Sequence, residues 1–149
     1  MKKFEFRLDT ALRWRGAQLQ LERAKLQGLL GGEQRLKRDL QSLLDERQTA
    51  LSELQITKQL QSFDLRALSA YLVGADARTR SLGERIAKQA GLIQEQRQCL
   101  LQAERNVRLL EKLKESRLSE WKQALNREIE LAAEESWLAA NFRVSPPSI

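Results

Sequence analysis

The chain has 149 residues, a length that fits one domain, and carries 26 Lys and Arg against 20 Asp and Glu, a formal charge of +6. Seven Gly, two Pro and 5% aromatics leave Leu, Gln, Glu, Arg, Lys and Ala to dominate, the profile of long helices and coiled coils rather than of a compact globule. No apolar run approaches the roughly 18 residues of a membrane-spanning helix, and acids interrupt the bases throughout, so no basic stripe marks a nucleic-acid interface.

At the start, Met1 to Arg7 carries charge but leads into no apolar stretch, which argues against a secretory signal. A first helix is predicted over about 4–59. Leu12, Leu19, Leu26, Leu40 and Leu54 keep a seven-residue register, with Glu33 and Arg47 at its skipped steps. Leu29, Leu30, Leu36, Leu43, Leu44 and Leu51 supply a companion row. Two such rows make one apolar stripe, and a 3.5-residue period implies left-handed supercoiling. Each of Gly16, Gly28, Gly31 and Gly32 weakens a helix by about 1 kcal/mol relative to Ala. The leucine register crosses Gly31 and Gly32 without a shift, so the helix is expected to stay whole.

A connector is expected over about 60–78. Ser62 is a candidate N-cap, and Leu65, Leu68 and Leu72 share one helical face. Gly74 reads as the end of this short helix and the point where the chain turns back. The second long helix is predicted over about 79–140, with Ile86, Ile93, Leu100, Val107, Lys114 and Trp121 in one seven-residue row. Its companion row is read as Ala90, Ala103 and Leu110, then a one-residue move to Leu118, Leu125 and Ala132, as a helix relaxes towards 3.6 residues per turn. Cys99, next to Leu100, is expected to be a half-buried apolar filler in a reducing compartment. Residues 144–149, with Pro146 and Pro147, are predicted to form a flexible tail.

Two helical segments of similar length and opposite charge at their outer ends favour antiparallel pairing. Lys2, Lys3, Arg7, Arg13 and Arg15 crowd the start of the first segment, and Glu128, Glu130, Glu134 and Glu135 the end of the second. Each cluster has the wrong sign for its own helix dipole, a conflict that antiparallel neighbours would cancel. The expectation is an all-α fold: a long antiparallel two-helix coiled-coil hairpin over 1–143 with a short helical connector, Leu12 lying near Leu131. The aromatics Phe4, Phe6, Trp14, Trp121, Trp137 and Phe142 would then gather at the terminal end, as core or as interface anchors.

Little chemistry is on offer. Without histidine the usual general base and the commonest metal ligand are missing. A single cysteine makes neither an internal disulfide nor a thiolate zinc site. Gly28-Leu29-Leu30-Gly31-Gly32 lacks the Lys-Ser/Thr of a phosphate loop. No enzyme activity, catalytic residue, metal or cofactor is expected.

Three stretches carry a resemblance. Phe4 to Arg15 (FEFRLDTALRWR) has two spaced Phe, Arg-Leu and a closing Arg. Leu68 to Leu72 (LSAYL) holds a Tyr-Leu pair, and Glu104 to Glu115 (ERNVRLLEKLKE) a mixed-charge run. Together, with Glu134-Glu135 and Phe142-Arg143 near the end, they resemble the flagellar FliJ family of the type III export apparatus over nearly the whole chain, although Trp14 and Gly16 depart from its usual opening.

The resemblance implies a cytoplasmic, non-enzymatic hairpin, associated peripherally with the inner membrane through the export apparatus and without direct membrane insertion. It implies a central stalk of the export ATPase hexamer, contact with the export gate's cytoplasmic domain and escort of export chaperones, with no nucleic-acid partner. Arg7, Arg13, Trp14, Arg15 and Trp137 are the expected ATPase-ring contacts, and Tyr71 and Leu72 the gate contacts, although Tyr71 and Leu72 could equally pack the turn. A generic coiled-coil scaffold, or the stalk of an injection-type secretion system, is the alternative.

Overall fold

The computed structural model describes residues 2–56 and 62–144, apart from the side chains of Ser62, Phe63 and Val144. Two helices account for nearly all of them: α1 over Asp9–Ile56 and α2 over Ser62–Val144. No strand occurs among the described residues. The fold is all-α, with the two helices packed against each other as a helical pair. They distribute into two units, one made of Met1–Ala17 with Glu104–Ile149, the other of Gln18–Ala103.

In the 18–103 unit the register is fixed by side-chain amides. Gln96 Nε2 donates to the backbone oxygen of Glu22 at 3.1 Å, and Gln89 Nε2 to the backbone oxygen of Leu29 at 2.8 Å. A step of seven residues up α1 thus matches seven residues down α2, so the helices run antiparallel with a shared heptad. On α1 the buried or half-buried positions include 19, 22, 26, 29, 33, 36, 40, 43, 47, 50 and 54. On α2 they include 72, 75, 79, 82, 86, 89, 93, 96, 100 and 103. This 3-4 alternation is the spacing of a coiled-coil seam. Leu19, Leu43, Ala75 and Ile93 are its best-buried side chains. The skipped steps are seated by charge: Glu33 bonds Lys37 at 3.0 Å and Arg47 bonds Asp76 at 2.9 Å.

Several expectations are corrected here. Residues 62–78 are not a separate connector, because α2 runs unbroken from Ser62 and Gly74 lies within it without a positive φ. The physical reason is phase: Leu68 and Leu72 continue directly into the row of Ala75, Thr79 and Leu82, so nothing in packing asks for a break. Ser62 is the first helical residue of α2, and the expected connector residues 60 and 61 lie outside the described residues, as do residues 57–59 of the expected first helix and 145–149 of the expected tail. Ala90 is exposed; Gln89 holds its place in the companion row. Cys99 is exposed and free, off the seam that Leu100 joins. The Gly31-Gly32 pair, by contrast, is carried inside an unbroken α1, as the leucine register implies.

In the unit of the two termini the helices again run antiparallel. Asp9 accepts from Lys114 Nζ at 3.0 Å, and the backbone oxygen of Lys2 accepts from Trp121 Nε1 at 3.1 Å. The α2 row reads Val107, Leu110, Lys114, then Leu118, Trp121 and Leu125, the expected one-residue move. Leu12 therefore sits nearer the level of Lys114 than of Leu131, which is 59% exposed. Beyond Leu125 every described α2 side chain is exposed, Ala132 included. The first helix begins only at Asp9, five residues later than expected, because residues 2–8 lie as a strap along α2 instead of coiling.

Candidate functional site

The strap and the first turns of α1 hold most of the residues singled out from sequence. Asp9 N donates to the Phe6 oxygen at 3.0 Å, and Leu12 N to the Leu8 oxygen at 2.8 Å, which starts the helix. An acid in that first turn suits the positive end of the helix dipole. Asp9 also ties α1 to α2, since its carboxylate meets Lys114 of α2 at 3.0 Å and Arg13 of its own helix at 3.2 Å. The Lys114 hydrogen bond, aided by the charges of Lys114 and Arg13, holds the Asp9 carboxyl below the ordinary aspartate range.

Trp121 pins the strap from the other side. Its ring lies 6.0 Å from that of Phe4 at an interplanar angle of 55°, a tilted aromatic pair. Between strap and helix runs a groove of about 860 Å³, with Lys2, Lys3, Arg7 and Arg117 among its walls, Glu5 and Glu120 beside them, and Trp121 at one side. Four cations against two acids make it a cationic groove with aromatic walls.

Arg13 is 83% exposed despite its bond to Asp9. Arg15 lies over the Trp14 ring at 4.9 Å, and that ring is itself 55% exposed. A guanidinium stacked on a solvent-facing indole is a pre-ordered pair that loses little freedom on meeting a partner. The structure thus brings Arg7, Arg13, Trp14 and Arg15 to one terminal region. Trp137 does not join them. It stands 16 residues past Trp121, roughly 24 Å along the helix, and is 66% exposed, beside Ala133, Glu134 and Leu138.

Tyr71 and Leu72 sit in the 18–103 unit, near the beginning of α2. Leu72 occupies a seam position and is half-buried. Tyr71, also half-buried, lines a shallow hollow with Ala50, Glu53 and Leu54 of α1 and Ala67 and Leu68 of α2. Leu72 therefore packs the helix pair, whereas Tyr71 borders open surface.

Sequence reasoning missed the polar seam. Glu22 carries two interactions with Gln96, one through its backbone oxygen and one through its carboxylate. The bond to the carboxylate, with Lys25, holds the Glu22 carboxyl below the usual glutamate range. Counting back from Ala103 by sevens reaches Gln96 and Gln89, so the signal was present; a search restricted to apolar residues passes over it.

Among the described residues no group of three Cys, Asp or Glu could hold a metal ion, and no helix is long and apolar enough to cross a membrane. Comparison with protein-family models, curated proteins and solved structures finds no match.

Proposed function

We propose that this chain is a non-enzymatic component of a flagellar type III export apparatus, acting as the central stalk of the export ATPase ring and as an escort for export chaperones. The reading rests on the resemblance of its three sequence stretches to the FliJ family. The observation that carries it at the site is the exposed cationic cluster at the start of α1, where Arg13 projects and Arg15 stacks on an open Trp14. A stalk entering a ring needs a charged end, and Arg7, Arg13 and Arg15 supply cations that suit acidic loops of a hexamer. Tyr71, at the rim of its hollow, is the assigned contact for the cytoplasmic domain of the export gate.

Replacing Arg13 and Arg15 together with Glu tests the reading. Stimulation of the cognate ATPase is expected to fall at least tenfold, with helicity by circular dichroism unchanged, since Arg13 is exposed and Arg15 only half-buried. Full stimulation by the folded double variant would remove this end from the ATPase contact. Weakened gate binding by a folded Tyr71→Ala variant would support the second assignment.

A further inference from the structure

We propose that residues 126–143 of α2 form a docking face for a basic amphipathic helix of another protein. The inference concerns a surface apart from the cationic cluster and does not depend on the export reading.

Every side chain from Asn126 to Arg143 is exposed, although the segment is helical throughout. Ile129, Ala133, Trp137 and Ala140 recur at steps of four, four and three, which places them on one stripe of the helix. Trp137 is 66% and Ile129 57% exposed, so the stripe is an uncovered apolar face with an aromatic anchor near its centre. Such a face on about five turns of helix is the surface that a second amphipathic helix covers.

Charge selects the kind of helix. Residues 126–143 hold four Glu against two Arg, a locally acidic segment on a chain of net charge +6. Glu130, Glu134 and Glu135 form no ion pair with another described residue. A cationic helix would offset these acids. The basic remainder of the chain would repel the same helix and so confine it to this segment.

Self-pairing suits the face poorly. Two copies set antiparallel about Ala133 would oppose Ile129 to Trp137 of the other copy, but would face Glu130 with Ser136 and Glu134 with Ala132, and so bring no cation to either acid. A helix with Leu on its apolar face and Lys along its borders meets the same stripe and supplies those cations.

The test uses the full chain and three fluorescein-labelled synthetic peptides followed by anisotropy. One is an amphipathic Leu/Lys helix, one the same helix with Glu for Lys, and one a scrambled Leu/Lys sequence of equal composition. The Leu/Lys helix is expected to bind saturably, more weakly as salt rises, and the other two at least tenfold more weakly. Trp137→Ala, and separately the Glu130→Lys/Glu134→Lys double variant, should each weaken binding by about tenfold or more. Both should keep their melting temperature, because none of these side chains is packed. Equal binding of all three peptides, or unaltered binding by both variants, would overturn the proposal. So would sedimentation as a dimer that dissociates in Trp137→Ala, which assigns the face to a second copy. Binding to phosphatidylcholine vesicles that is lost in the same variant would assign it to lipid and also overturn the proposal.

Discussion

A methyl group added at Gly32 would sit 2.9 Å from Gln89 Nε2, whereas one added at Gly28 would meet nothing within 4 Å. Both glycines lie inside α1 with ordinary helical backbone, so Ala at either removes a penalty of about 1 kcal/mol. At Gly32 the gain is opposed. The Gln89 amide must swing away and surrender its bond to the Leu29 oxygen, a loss of about 0.5–1.5 kcal/mol. Gly28→Ala is therefore expected to raise the urea midpoint by the full helix-propensity gain, and Gly32→Ala to leave it nearly unchanged. Equal stabilisation by both would show that the Gln89 bond contributes nothing. The opposing residue itself was hidden from sequence reasoning by its polarity. A glutamine at a seam position looks like surface until its partner carbonyl is known.

At the scale of elements, the strap and the start of α2 are the places where structure and sequence pattern part. Residues 2–8 contain Phe4, Phe6 and Leu8 with no helix-breaking residue, so local propensity gives no reason for them to leave a helix. The reason is tertiary: Trp121 offers one ring face to Phe4 and one N–H to the Lys2 oxygen. Trp121→Ala should free the strap, seen as faster tryptic cleavage after Lys2, Lys3 and Arg7, while far-UV helicity persists. Trp121→Phe keeps the ring contact and should lie between the two; cleavage no faster than wild type in the Ala variant would disprove the anchor. The seven-residue leucines did make the long helices and their pairing legible. Gly74 misled, because a glycine after an apolar stretch reads as a helix end. The decisive signal was the unbroken phase from Leu68 through Leu72 to Ala75. Substitution separates the two readings: within a helix, and with open space around it, Gly74→Ala should stabilise by about 0.5–1 kcal/mol. A left-handed turn glycine would instead make the same change destabilising, and a lowered urea midpoint would show it.

For the molecule as a whole, the carboxylates that bind cations set how it responds to acid. Asp9 and Glu22 both hold their protons less tightly in the folded chain than an ordinary carboxyl does. A depressed folded pKa contributes stability above the unfolded value, and that contribution is lost as pH falls through the folded one. The loss from these two groups therefore begins below about pH 5 and is complete only well under pH 4. As acid is added, net charge climbs from +6 towards the +26 of the bases alone. Self-repulsion then adds to the lost ion pairs. Urea midpoints measured between pH 7 and pH 3 are expected to fall steadily below pH 5, with added salt softening the repulsive part. Lys114→Met isolates the Asp9 contribution, because Lys114 supplies the hydrogen bond that dominates its shift. The variant should be less stable at pH 7 and should lose less on acidification, so that the gap between its midpoints and those of wild type narrows as pH falls through the carboxylate range. Parallel curves for the two proteins would mean that Lys114 and Asp9 do not exchange a proton-linked interaction, and that this contact between α1 and α2 adds nothing to acid sensitivity.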